Sequence, residues 1–305
     1  MSLVGLFKGL GPNGFGHNST AEQVTSEVDL SGKTYLLTGC NSGIGQETAR
    51  VLGVRGARVI GAARSMEKAK AACSGFGPQA IPLVCELSDP GSVRAAVASV
   101  QKLGHALDGI FCNAGIMALP KRELQNGYEA QFFTNYLGHF ILVTGLLDLL
   151  SEQGRVVMTS SAAHKQTYAE GIRLEDLDAS GEYSALGAYG QSKLACALFA
   201  LHLSTKLKAG QTANAVHPGV IQTNLGRHMN KLMVVTLSLF SPIFLKSIPQ
   251  GAATQTYVGT HPSAATKTGL YWADCNPTQG SVFTRDAELA ARLWAKTEEI
   301  VAGLA

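Results

Sequence analysis

The stretch KTYLLTGCNSGIG, residues 33 to 45, decides the fold. KTYLLT is a short apolar run of the kind that forms a buried strand. Gly39, Cys40, Asn41, Ser42, Gly43, Ile44 and Gly45 follow as a tight turn, and a helical run from about Ile44 to Val54 leads away from it. Glycine lets a backbone turn sharply and approach a pyrophosphate, whose charge the N–H groups and dipole of the following helix would meet. A glycine turn alone also fits an ordinary strand-to-helix loop. With a strand before it and a helix behind it, dinucleotide binding is the better reading.

Outward from this turn the alternation continues. Strands are expected at 57–62, 80–85, 108–112, 154–160 and 212–216, with a short one near 269–271. Helices are expected near 66–73, 91–103, 125–150, 186–207, 249–259 and 286–302. Short apolar runs separated by amphipathic segments imply parallel strands joined by right-handed crossovers. The predicted architecture is therefore α/β: one doubly wound Rossmann domain with a parallel sheet of about seven strands and helices on both faces. No linker divides the chain, so residues 31–305 form this domain behind an N-terminal extension, 1–30. The polar, acidic run 162–187 reads as a surface insertion.

Composition narrows the partners. Hydrophobic residues make up 46% of the chain and charged ones only 15%, which provides for a large core and excludes disorder. The formal charge of +3 comes without a dense Lys/Arg run, so no nucleic acid partner is expected. Six cysteines without a CxxC pair indicate a reducing, cytoplasmic compartment. The eight histidines are scattered without HExxH, so no metal is expected, and His164 reads as a loop histidine. The first residues are too interrupted by glycine for a secretory signal. The apolar window 232–245 falls short of the about 20 residues that cross a bilayer.

The turn departs from GxGxxG and resembles the TGxxxGxG loop of the short-chain dehydrogenase/reductase family, classical type. Asn113, Ala114 and Gly115 follow the fourth strand and Asn135 lies in the next helix. Ser160 and Ser161 follow the fifth strand; Tyr189 with Lys193, then Pro218 and Gly219, complete the family's order over about residues 30 to 225. Tyr189 and Lys193 stand four apart in a helical run, so their side chains share a face, and an ammonium beside a phenol favours the phenolate. The resemblance implies that Tyr189 exchanges a proton with substrate, Lys193 assists it and binds ribose, and Ser161 rather than Ser160 holds the substrate oxygen. It further implies that Asn135 connects the lysine to solvent.

The resemblance also implies dinucleotide contacts from Gly39, Asn41, Ser42, Gly43, Ile44 and Gly45, from Asn113, Ala114 and Gly115, and from Tyr189, Lys193, Pro218, Gly219 and Thr223. At the end of the second strand the sequence is Ala62, Ala63, Arg64, Ser65, with no carboxylate for a ribose hydroxyl. Arg64 is placed to pair with a 2′-phosphate, so NADP(H) is favoured over NAD(H). Glu86 and Leu87 stand where the family usually sets Asp and an apolar residue against the adenine.

Within the family, the run AYGQSKLACALFALHL and the later Tyr271, Trp272, Leu293 and Trp294 resemble the retinol dehydrogenase branch and the plant chloroplast-envelope dehydrogenase of the import translocon. The expected substrate is a small lipophilic carbonyl or alcohol, retinoid-, steroid- or aldehyde/ketone-like, under a lid near 222–248. Such a lid is also compatible with peripheral membrane contact. The alternative is an NADP(H)-binding redox sensor or assembly subunit, against which the complete Ser161, Tyr189, Lys193 set argues. Self-association as a homodimer or homotetramer through the helices near 125–150 and 187–207 is expected by the same analogy.

Overall fold

A computed structural model of the chain describes residues 8–221 and 245–304. Thr223 and the lid expected near 222–248, up to residue 244, lie outside the described residues. Strand β1 (Thr34–Thr38) runs into helix α1 (Gly43–Val54), and β2 (Arg58–Ala63), α2 (Met66–Cys73), β3 (Ile81–Val84), α3 (Pro90–Leu103) and β4 (Leu107–Cys112) follow. Strands β7 (Leu150–Thr159), β8 (Thr212–His217) and β9 (Tyr271–Ala273) continue the parallel sheet, and β10 (Asn276–Thr278) closes it antiparallel to β9. The order β10-β9-β8-β7-β4-β1-β2-β3 makes eight strands, the parallel ones expected plus an edge strand that the sequence reading missed.

Neighbouring residues along each central strand enter opposite layers. Leu36, Ile110 and Val156 pack toward one helical layer, whereas Leu37, Phe111 and Val157 pack toward the other. A period of two with both faces covered is why these strands read as unbroken apolar runs. The chain winds from β1 outward to β3 and then returns to place β4 on the far side of β1. The strand direction of travel thus reverses between β1 and β4, and such a switch opens a crevice at the carboxyl ends of the strands.

Three expectations change. The helix expected at 125–150 is shorter and broken: α4 (Ala130–Phe132) passes through a π-helical turn (Phe133–Leu137) into α5 (Gly138–Thr144). Residues before it form a small hairpin, β5 (Leu124–Gln125) and β6 (Tyr128–Glu129), across Asn126 and Gly127, both at positive φ. That Asn-Gly pair is the turn signal. The run 162–187 is more than a surface insertion, because Ile172 and Leu177 are core residues and Leu177 O accepts from Glu129 N at 3.0 Å. Residues 8–30 pack on the sheet's last helices: Ala21 N donates to Pro249 O at 2.9 Å, and Phe15 lies edge-on to Tyr257 of α7 (Ile248–Thr260).

Helices α5 and α6 (Ala185–Leu203), the helices expected to carry self-association, are covered within the chain. No residue of either helix is exposed, because α8 (Ala287–Gly303) covers them within the same chain. The Trp294 ring stacks on Phe199 at 5.5 Å and meets Phe140 edge-on at 4.8 Å, and Tyr136 Oη pairs with Thr297 Oγ1 at 2.7 Å. Aromatic pairs of this kind add about 0.5–1.5 kcal/mol each beyond the area they bury. No helix among the described residues is long and apolar enough to cross a membrane. Light scattering on the purified protein is expected to give the mass of one 32.0 kDa chain. A stable dimer that Trp294→Ala dissociates would contradict this.

Candidate active site

The sheet switch sets the turn after β1 beside the turn after β4. Gly39 has φ 70° and Gly43 φ 57°, values that favour glycine. A Cβ on Gly39 would stand 2.9 Å from Ala114 Cα, and one on Gly45 would collide with the Gly39 carbonyl. Side chains at either position would close the turn, so the chain keeps bare backbone where α1 begins. Ser42 precedes α1 without capping it through its side chain, and Asn41 is exposed. This cradle suits a pyrophosphate: backbone N–H groups, a helix N-terminus and no side-chain bulk.

Thr38 joins the two turns. Its Oγ1 accepts from the backbone N–H of Asn113 and of Ala114, both at 3.0 Å, while Asn113 Nδ2 donates to Thr38 O at 3.1 Å. Gln255, from α7, completes the stitching. Its Nε2 donates to Thr48 Oγ1 at 2.6 Å and to Asn113 Oδ1 at 3.3 Å, and its Oε1 accepts from Thr159 Oγ1 at 3.1 Å. Nothing in the sequence separated Gln255 from other polar helix residues; only its complete burial does.

Across the crevice, β7 ends at Thr159 and delivers Ser160 and Ser161. Ser160 is buried and spends its hydroxyl on Lys193 O at 2.7 Å. Ser161 is half-buried and its Oγ accepts from Ala163 N at 3.2 Å, which leaves its O–H able to donate elsewhere. Lys193 Nζ donates to Thr159 O at 2.9 Å and lies 5.7 Å from the centre of the Tyr189 ring. Both residues are almost fully buried in α6, one helical turn apart.

Asn135 occupies the π-helical turn. Its Oδ1 accepts from Ile116 N at 2.8 Å, and its Nδ2 donates to Ile116 O at 3.0 Å and Ser192 Oγ at 2.9 Å. Gly115 is the bare point between the two networks: a Cβ there would sit 2.9 Å from Asn135 Oδ1 and 3.5 Å from Lys193 Nζ. π-turns of this sort concentrate at functional sites. The structure thus brings Gly39 to Gly45, Asn113 to Gly115, Asn135, Ser161, Tyr189 and Lys193 to one edge of the sheet.

The remaining predicted positions follow the carboxyl ends of β2, β3 and β8. Arg64 is exposed directly after β2 and forms no ion pair among the described residues. Glu86 Oε1 accepts from Ser88 N at 3.2 Å and from Ser88 Oγ at 2.9 Å, and Leu87 is buried, its carbonyl lying on Gly138. Pro218 is buried and Gly219, at φ 96°, rests on the Lys246 stem.

His164 is not a loop histidine but a buried one. Its Nδ1 donates to Ser161 O at 2.6 Å and its Nε2 accepts from Ser281 N at 3.0 Å, which fixes the neutral tautomer. No group of three or more His, Cys, Asp or Glu that could hold a metal occurs among the described residues.

The family model described as short chain dehydrogenase matches residues 33–173. The short-chain dehydrogenase TIC 32 A, chloroplastic, of Brassica napus is 42% identical over 320 residues, covering 100% of both chains. Retinol dehydrogenase 12 of Mus musculus is 38% identical over 278 residues, covering 88% of this chain and 86% of that one. Among solved structures, a short chain dehydrogenase from Burkholderia cenocepacia in complex with NADP superposes with a TM-score of 0.65 at 26% identity, over 79% of this chain and 96% of that one.

Burial also makes the site acid-sensitive. Desolvation, with the nearby Lys193 ammonium, lowers His139 to about 4; desolvation, with Lys246, lowers His217 to about 4. Both stay neutral in the folded chain at pH values where the unfolded chain binds protons. The stability that this contributes is complete above the ordinary value of 6.5 and is lost as pH falls from there toward 4. His217 Nδ1 accepts from Ala162 N at 3.2 Å, and an asparagine oxygen can replace that acceptor without titrating. Urea unfolding is expected to show the wild type losing more stability than His217→Asn between pH 7 and pH 5, by about 1–3 kcal/mol. Parallel losses would contradict the assignment.

Proposed function

The chain belongs to the short-chain dehydrogenase/reductase family, in the branch of the TIC 32 and retinol dehydrogenase 12, 13 and 14 proteins, and on that premise we propose an NADP(H)-dependent oxidoreductase. Its substrate is the carbonyl or alcohol of a lipophilic molecule, retinoid-, steroid- or aldehyde/ketone-like. When bound in the cradle of Gly39 to Gly45, the nicotinamide dinucleotide would supply the hydride chemistry at the substrate carbon. Tyr189 gives its hydroxyl proton to the carbonyl oxygen in reduction and takes it back in oxidation. Ser161 donates a hydrogen bond to the same oxygen and orients it toward the tyrosine.

The observation that carries this reading is the placement of the Lys193 ammonium on the Thr159 carbonyl, 5.7 Å from the Tyr189 ring. There the cation offsets the charge that develops on the phenol when its proton leaves, and its remaining N–H donors suit ribose hydroxyls. Asn135 holds the segment at Ile116 against α6, and Gly39 to Gly45 receive the pyrophosphate. NADP(H) over NAD(H) rests on Arg64, exposed at the end of β2 where a 2′-phosphate would lie, and is supported by the NADP-bound neighbour. A lipophilic substrate is supported by the retinol dehydrogenase relatives and by the apolar sequence 229–245. The six cysteines are free and buried, in keeping with a reducing compartment; the chloroplastic relatives make a plastid as apt as the cytoplasm.

Two substitutions test the reading. Tyr189→Phe is expected to lower turnover of all-trans-retinal and other lipophilic carbonyls by about 10²–10⁴-fold while NADPH still binds. NADPH binding by the wild type without turnover of any carbonyl would replace catalysis by the sensor reading. Arg64→Asp is expected to weaken NADP(H) by about 10–100-fold and leave NAD(H) within a few-fold, because a charge-assisted hydrogen bond is worth about 1.5–3 kcal/mol. Equal losses for both dinucleotides would remove the cofactor assignment.

A further inference from the structure

His139 is fully buried on α5, one helical turn beyond Asn135, and neither ring nitrogen is idle. Nδ1 stands 2.8 Å from Asn135 O, and a carbonyl can only accept, so Nδ1 carries the hydrogen. Nε2, then a bare acceptor, stands 2.8 Å from Thr38 Oγ1, which donates to it. With its hydrogen committed there, the Thr38 oxygen directs its lone pairs at the N–H groups of Asn113 and Ala114. The imidazole therefore fixes how Thr38 bonds, and Thr38 fixes the spacing of the two turns of the dinucleotide cradle.

The other end of the chain of bonds reaches the tyrosine helix. Asn135 O also accepts from Cys196 Sγ at 3.2 Å, Asn135 Nδ2 donates to Ser192 Oγ, and Ser192 Oγ donates to Tyr189 O at 2.8 Å. A run of polar groups, buried except at Ala114 and passing from backbone to side chain within Asn135, thus links Ala114, Thr38, His139, Asn135, Ser192 and the backbone of Tyr189. A positive charge at its centre is disfavoured by burial and by the Lys193 ammonium, so the run stays in one protonation pattern. Groups in one hydrogen-bond network show coupled energetics, whereas separate packing residues add independently.

We propose that His139 is a positioning residue, a neutral imidazole of fixed tautomer that couples the dinucleotide cradle to the helix bearing Tyr189 and Lys193. The proposal rests on the reading of the site as an NADP(H) site. It assigns His139 no proton transfer to substrate and no contact with it. Its signature is that part of a change at the tyrosine helix reaches the cradle through this ring, beside the routes through Asn135 to Ile116 and through Thr159 and Gln255 to Asn113.

The test is a double-mutant cycle read by NADPH affinity from fluorescence titration, without substrate. Ser192→Ala is expected to weaken NADPH by about 3–10-fold in the wild-type background, and His139→Leu by about 10-fold. The double variant should lose clearly less affinity than the product of the two single losses. His139→Gln, which keeps a donor and an acceptor, should recover part of the affinity even if the leucine variant folds poorly. In ¹⁵N-histidine NMR of the wild type, the His139 nitrogens should show the Nδ1–H tautomer and shift on NADPH addition. Multiplying effects in the cycle, or nitrogens indifferent to NADPH, would overturn the coupling alone. Failure of the unsubstituted chain to bind NADPH would overturn the proposed function and the coupling with it.

Discussion

The site depends on one buried cation. Lys193 is 3% exposed, and no carboxylate among the described residues pairs with it; its ammonium is held by the Thr159 carbonyl at 2.9 Å. Burying a charge without a counter-ion costs several kcal/mol unless other polar groups compensate, and here a strand-end carbonyl does part of that work. A carboxylate beside this ammonium would offset its charge, and none among the described residues stands there. Contrast Lys246, equally buried but paired at 2.6 Å with Asp274, in the turn between β9 and β10.

Around that cation the fold supplies position without local bulk. The sheet switch between β1 and β4 brings two glycine-containing turns together, and the end of β7 faces them across α6. Bare glycine at 39, 45 and 115 leaves room where any Cβ would strike backbone or a site side chain. Rigidity comes from polar stitching by Thr38, Gln255 and Asn135 rather than from bulk, and from α8, which seals α5 and α6 with Trp294 and Leu293. The helix bearing Tyr189 and Lys193 is thereby fixed on both sides.

Much of this was legible in the residues. Apolar strand runs gave the α/β class because the central strands are buried on both faces. The strand-turn-helix at the TGxxxGxG spacing and the shared helix of Tyr189 and Lys193 were legible because turn geometry and helix period are local properties. What escaped the reading depends on contacts distant in sequence. Asn135 bends its helix into a π-turn only because Ile116 offers a backbone N–H and carbonyl at the right height. The strand at 276–278 pairs only because Asp274 and Cys275 adopt positive φ, a conformation that neither residue signals as Asn-Gly does. The cover that α8 gives to α6 is invisible in the sequence until Trp294 is seen against Phe199.

The central claim, that the Tyr189 and Lys193 side chains act on a nicotinamide at the carboxyl edge of the sheet, is tested most directly by a crystal structure of the protein grown with NADP⁺. The account predicts the pyrophosphate on the backbone of Gly39 to Gly45, with the nicotinamide ribose within hydrogen-bond distance of Lys193 Nζ and the Tyr189 hydroxyl. A dinucleotide bound away from that crevice, or a Tyr189 hydroxyl turned from the ring, would contradict it.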